Sequence, residues 1–329
     1  MLDSSNTLFM VPVPSTKVLK SAGIAIILVL YSLSGFAQPP SSILTAIKAN
    51  DIEQVKAFLQ NGANPNMTDG EGDPLLLNAV LYSSAQVIEL LLQNGAKPNS
   101  INKDGETALM WAVHDIDMAK LLLKHGADPN AKAVSGNTAL LISVVGANQY
   151  GITKLLLENG ADPLAKNEKK ETALMRAAIF GDTATLSLLA KAGNEIDAMD
   201  TTGATALINA IFNVNRAGTI WLLNNGADPD KVGVFGLTAV SGVVTLNDLP
   251  SVKAVLQHAR KVNVADTLGI SALMWAVYNE HDNPEIIQAL IDRGADLNWK
   301  AKNGETALVW ALRKGNTKTV ALLKKHGAQ

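Results

Sequence analysis

The sequence predicts an all-α repeat solenoid, and three observations carry that prediction. A short motif ending a helical stretch with glycine returns at near-constant intervals, a Thr-Ala-Leu marker runs in step with it, and the apolar residues between them recur at helical spacing. Composition agrees: 329 residues, 47% hydrophobic and 18% charged, can bury a sizeable core.

The glycine motif reads NGANPN at 61–66, NGAKPN at 94–99, HGADPN at 125–130, NGADPL at 159–164, NGADPD at 225–230, RGADLN at 293–298 and HGAQ at 326–329. Its glycines are Gly62, Gly95, Gly126, Gly160, Gly226, Gly294 and Gly327, with Gly193 of AGNEID in one gap. In the other gap QHARKVN keeps the frame at His258 without the glycine, so successive spacings run from 31 to 36 residues. The second marker, TAL, starts at Thr107, Thr138, Thr172, Thr205 and Thr306, with TAV at Thr238, SAL at Ser271 and a degenerate DPL at Asp73.

A period near 33 residues with this marker resembles the TPLHxAA signature of the ankyrin-repeat family, here of an exported bacterial type, with Ala usually replacing the proline. The resemblance covers essentially all of 41–329. It implies about nine stacked repeats, each a hairpin tip, a short inner helix, a turn and a longer outer helix, in one domain from 38 to 329.

The residues support the same units directly. Thr107 can cap a helix carrying Leu109, Met110 and Val113, and a second helix carries Met118, Leu121 and Leu122 before Gly126 ends it. Turn formers over 129–136 give the hairpin. One such unit cannot bury its own apolar face, so stacked neighbours must complete the core. The first unit has two helices around Asn50 and Asp51, and the last carries Lys318, Lys324 and Lys325 outward, as terminal repeats require. The seventh unit, with Gly242, Pro250 and no helix-ending glycine, is expected to be the softest, and the 36-residue unit to carry an insertion at 280–284.

Residues 1–37 read as an address. Lys17 and Lys20 precede an apolar run over 22–33, and Gly35 and Ala37 stand three and one positions before a cut between Ala37 and Gln38. A cleaved signal peptide is the preferred reading and an uncleaved inner-membrane anchor the alternative, because 21–37 sits at the lower edge of a bilayer span. The expected location is therefore periplasmic or secreted.

Motifs for chemistry are scarce. The chain has no cysteine, which excludes disulfides, thiolate nucleophiles and Cys-ligated metals. Of five histidines, His125, His258 and His326 share the position before the helix-ending glycine, where the helix dipole explains them, and none pairs at metal-binding spacing. NKDGE at 102–106 reads as a hairpin tip, not a calcium loop, and Asp115 with Asp117 as turn chemistry. No nucleotide or nucleophile-elbow motif occurs, no cofactor is implied, and a net charge of −2 gives no bulk reason to bind nucleic acid. Trp111, Trp275 and Trp310 occupy one repeat position, read as packing between repeats.

The resemblance implies that a partner sits on the concave face formed by hairpin tips and inner-helix ends. Mapped onto this sequence, the helix-end positions include His114, Asp115, Ile179, Phe180, Phe212 and Tyr278, and the tips include Phe235. Aromatic residues are only 5% of the chain, so four of them at variable positions suggest a hot spot. The alternative is that the rings fold into inter-repeat gaps. The expected function is a monomeric, non-catalytic scaffold exported to the periplasm that binds a protein partner through its concave face, with no membrane contact after signal cleavage. An inhibitor or immunity-type protein, an accessory factor for a periplasmic enzyme, or a small-ligand-binding or hydrolytic groove are the alternatives.

Overall fold

The computed structural model of the chain describes residues 42–145, 149–180, 182–278 and 282–329. The signal segment expected at 1–37, and Glu280 and His281 of the expected insertion, lie outside them. Among the described residues, eighteen α-helices follow one another as nine pairs from Ile43–Lys48 and Ile52–Gln60 to Ala307–Lys314 and Thr317–Lys325. Helices pack within each pair and onto the matching helices of the adjacent pairs, inner on inner and outer on outer. The expected hairpins are turns with isolated bridges, such as Ile101 with Thr107 and Ala265 with Ser271.

Local chemistry sets where each helix begins. Thr107, Thr138, Thr205 and Thr306 stand in extended conformation and accept, through the side-chain oxygen, the amide three residues on. Each such cap is worth about 1 kcal/mol. The degenerate marker behaves differently: Pro74 occupies the capping position of Leu75–Tyr82 and supplies no side-chain bond. Outer helices begin on Asp51, Asp115, Asp182, Asn215 and Asn283, whose side chains accept an amide two or three residues on.

Two classes of glycine end and link the units. Gly126 holds φ +86°, and a Cβ there would touch nothing within 4 Å, so backbone conformation alone selects glycine. Gly136 at a hairpin tip has φ +75°, and a Cβ would also lie 2.8 Å from the Glu168 amide of the next unit. In the seventh unit Ala259 replaces the helix-ending glycine at φ −70°. There Arg260 reaches back to the preceding unit, with its Nε 3.0 Å from Asp230 and its Nη2 3.0 Å from Asp228.

The core lies between units. Ala108, Leu109, Met110, Ala112 and Val113 of an inner helix and Ala119 and Leu122 of its outer partner are all buried, and the buried residues form one continuous cluster from Ile43 to Leu323. A fully buried leucine such as Leu122 or Leu156 contributes about 2 kcal/mol.

Polar staples add to this stacking. Asn130 donates its amide to the Gly160 carbonyl at 2.8 Å and accepts the Asp162 amide at 2.7 Å. Asn66, Asn99 and Asn263 join Gly95 and Lys97, Gly126 and Asp128, and Gly294 and Asp296 in the same two-bond arrangement. Leu164 occupies that position in the fourth unit and offers neither bond. A second line of bonds joins the tips: Val134 donates to Asp104, Glu168 to Ser135, Thr201 to Lys169, Thr267 to Phe235 and Lys302 to Leu268. Asp282 bridges the last two units by accepting the Lys318 and Thr319 amides at 2.9 and 3.0 Å.

Each staple bond is worth about 1 kcal/mol. Asn130→Ala, which removes two such bonds, is therefore expected to lower stability by about 2 kcal/mol and Leu164→Asn to raise it by a similar amount, read as opposite shifts of the urea midpoint in unfolding followed by circular dichroism. Equal midpoints for Leu164→Asn and the parent would show that the fourth interface does not accept the staple.

Burial raises the Asp282 pKa, but the Thr319 hydroxyl bond and the two amides outweigh it, so the carboxyl sits below its ordinary value. A depressed carboxyl stabilises above its unfolded pKa and loses that contribution as pH falls through its folded value. Asp282→Ala should accordingly be destabilised most at neutral pH, with the deficit shrinking below pH 3.8, the ordinary carboxyl value. A deficit independent of pH would assign the effect to packing.

Candidate protein-interaction face

Inner-helix ends and hairpin tips repeat at fixed positions, so the register of the stack places them along one side of the array. The four aromatic residues expected there are all half exposed: Phe180 at 50%, Phe212 at 49%, Phe235 at 61% and Tyr278 at 50%. Ile179 is partly buried, while His114 and Asp115 are exposed. Neighbouring Gly146 and Asn279 lie outside the described residues.

Two of the rings stand over the next unit. The Phe212 ring comes within 3.5 Å of where a Cβ on Gly242 would be, so the absent side chain at that position makes room for it. Tyr278 meets Trp275 edge-on at 5.9 Å and Trp310 of the next unit at 5.8 Å between ring centroids. Lys314 places its ammonium 4.2 Å from the centre of the Tyr278 ring. The rings thus combine the two expectations: one edge is held by the neighbouring repeat and the other remains open to solvent. Such a side chain has little rotamer entropy left to lose on binding.

Phe235 is set by its backbone. It lies at φ +69° beside Gly236 at φ +77°, which gives this tip two successive left-handed residues. A bulky side chain in that region is rare and is retained where the surroundings over-determine it. Its carbonyl accepts the Thr267 amide at 2.9 Å, tying the tip to its neighbour.

His114 ends a short 3-10 turn after Ala108–Trp111. Asp115 is occupied as the cap of Ile116–Lys124, accepting the Asp117 and Met118 amides at 3.0 Å each. Its carboxylate therefore has a structural task on the face where a partner was expected to meet it. Asn102 likewise closes its own tip, accepting the Asp104 and Glu106 amides. Among the described residues no group of three or more His, Asp or Glu side chains is placed to hold a metal ion.

The tryptophan position carries a relation that the sequence reading missed. Trp111, Trp275 and Trp310 pack against the core while their indole nitrogens donate to Glu106, Asp266 and Glu305 at 3.1, 3.1 and 2.6 Å. Arg176 at the same position pairs with Glu171 at 3.1 Å and donates to the Leu141 carbonyl of the preceding unit at 2.8 Å. A Glu immediately before the marker Thr with Trp or Arg five residues on was the available signal. Arg313 first, then Trp310, holds the Glu305 carboxyl below its ordinary range, outweighing its desolvation.

Family comparison completes the description. A profile described as Ankyrin repeats (3 copies) matches residues 43–133, 140–232 and 238–329. The chain belongs to the ankyrin-repeat family. Ankyrin repeats are generally protein-interaction scaffolds. Individual relatives match over shorter stretches. Ankyrin repeat and SAM domain-containing protein 6 of Rattus norvegicus is 35% identical over 34% of this chain and 13% of its own length. A putative ankyrin repeat protein of Borreliella burgdorferi is 29% identical over 36% of this chain and 52% of its own length. L-asparaginase of Dirofilaria immitis is 35% identical over 27% of this chain and 12% of its own length. The chain thus spans about half or less of the lengths of these relatives.

Because each ring is half exposed, the Phe180→Ala, Phe212→Ala, Phe235→Ala variant should keep its helical circular dichroism. The single change Leu156→Ala, at a fully buried position, should by contrast cost about 2–5 kcal/mol. A triple variant that unfolds at room temperature would reassign these rings to the core.

Proposed function

We propose that this ankyrin-repeat chain is a monomeric, non-catalytic scaffold that is exported to the periplasm and binds a protein partner through the face carrying Phe180, Phe212, Phe235 and Tyr278. The observation that supports it is the set of half-exposed aromatic rings on variable repeat positions, two of them braced by the following repeat. Aromatic residues held in this way form interaction hot spots, because they desolvate a large area at small entropic cost. The family profile reaches from residue 43 to residue 329, so repeats account for nearly all of the chain after the proposed signal. Export rests on the basic and apolar pattern ahead of Gln38. The partner fits either an enzyme held inactive by the scaffold or one that needs it as an accessory factor.

The test is in-cell crosslinking and affinity capture, comparing the parent with the triple phenylalanine variant, and sequencing the N-terminus of the recovered protein. The expected result is one protein captured by the parent and lost with the variant, and a mature chain beginning at Gln38. Equal capture by both would remove the aromatic face from the reading. A retained residue 1–37 segment would replace export in free form by an anchored protein.

A further inference from the structure

The charge around this face is uneven. Residues 293–329 contain eight Lys or Arg against two Asp or Glu, whereas residues 42–292 contain 18 against 27. The ninth repeat is thus a basic end on an acidic array. From repeat six to repeat eight the exposed residues of the face are uncharged, among them Phe212, Thr245, Phe235, Leu268 and Tyr278, whereas the tip of repeat five exposes Glu168, Lys169 and Lys170. The two carboxylates nearest to this stretch are engaged elsewhere. Asp200 accepts the Thr202 and Ala204 amides, and Asp266 accepts the Leu268 and Ile270 amides and the Trp275 indole.

The basic end touches the apolar stretch at two points. The Lys302 amide donates to the Leu268 carbonyl at 3.2 Å, and its Cγ lies 3.3 Å from where a Cβ on Gly269 would stand. Lys314 rests on the Tyr278 ring. Both side chains are exposed, and among the described residues neither forms an ion pair with a carboxylate. Arg313 beside them is already paired with Glu305. Two cations without a carboxylate partner among the described residues therefore border the apolar strip at the ninth repeat, while at its far end Lys169 and Lys170 stand beside Glu168.

We propose that the occupant of this face is a protein segment that is apolar where it crosses repeats six to eight and acidic where it reaches the ninth, with its carboxylates on Lys302 and Lys314. This rests on the scaffold reading above and adds the chemistry and direction of the partner. Apolar contact along the strip supplies affinity. The lysines favour this direction, since a reversed segment would leave Lys302 and Lys314 unpaired and set its carboxylates beside Glu168 at the fifth tip, where Lys169 and Lys170 already have that carboxylate as a neighbour. Lys314 needs only to swing from the Tyr278 ring toward the incoming carboxylate, exchanging one exposed cation–ring contact for a charge-assisted hydrogen bond.

The test uses a random 16-residue peptide library displayed on phage, selected on the purified protein, with enriched peptides resynthesised and measured by fluorescence anisotropy. Enriched peptides are expected to carry apolar residues followed by Asp or Glu. They should lose at least tenfold in affinity on a K302E, K314E variant that keeps its circular dichroism, about threefold on K302Q, K314Q, and should weaken with added salt. Binding that ignores charge reversal but disappears with the triple phenylalanine variant would overturn the acidic assignment and leave the scaffold reading standing. Binding indifferent to both variants would overturn both. Basic or uncharged consensus peptides, or no enrichment, would overturn the proposal. So would charge-sensitive binding to vesicles containing an anionic lipid without peptide binding, which would make the basic end a membrane contact.

Discussion

Contact between one helix pair and the next is the interaction on which this structure depends. An inner helix can be as short as Ala108–Trp111, far below the length at which a helix is stable alone in water. It persists because Ala108, Leu109 and Met110 are covered by neighbouring units, and because Thr107 on one side and Gly126 after its outer partner fix where the pair starts and stops. Stability is therefore a sum of local terms between neighbours, and surface properties can vary from unit to unit without changing the fold. The aromatic face is one product of that freedom.

The same register that buries the leucines aligns everything else. Once the units stack at a constant offset, tip amides such as those of Val134 and Thr267 find the preceding tip carbonyl, and Asn66, Asn99, Asn130 and Asn263 of the glycine motif meet the following glycine carbonyl. At the inner-helix position five residues after Glu106, Glu171 and Glu305, the side chain is Trp or Arg, and both donate to that carboxylate. Stacking thus comes first, and the polar links then penalise any slip of one unit against another.

Much of this was legible in the sequence, and the reason is repetition. Thr107 and Gly126 announce a cap and a left-handed stop because the same residues recur in phase many times. The asparagine staples were visible as letters of the motif, but their bonds span about 30 residues and depend on a stacking offset that a single unit does not contain. For the aromatic face, sequence identified Phe180, Phe212, Phe235 and Tyr278 but left open whether they point outward or inward. Each ring has an exposed side, and the deciding partner can be the absence of a side chain at Gly242 or a ring one unit away at Trp310. Asp115 showed a different ambiguity, since a carboxylate at a helix end serves equally well to cap or to meet a partner, and here it caps. Replacement of a missing glycine by the reach of Arg260 to Asp228 and Asp230 had no local sequence signature.

The leucine at position 164 has a mechanical meaning. An array whose neighbours are joined in series responds to tension at its least tied joint, just as a zip parts where a tooth is missing. On the motif side, the joint between the fourth and fifth units lacks the clasp that Asn130 makes one unit earlier, while the Glu168 to Ser135 bond still ties the tips. Bending at this joint would open the outer edge while the tip edge stays hinged. It would thereby change the angle between the first four units and the aromatic strip that follows them, giving the scaffold a way to adjust its curvature to the shape of what it holds.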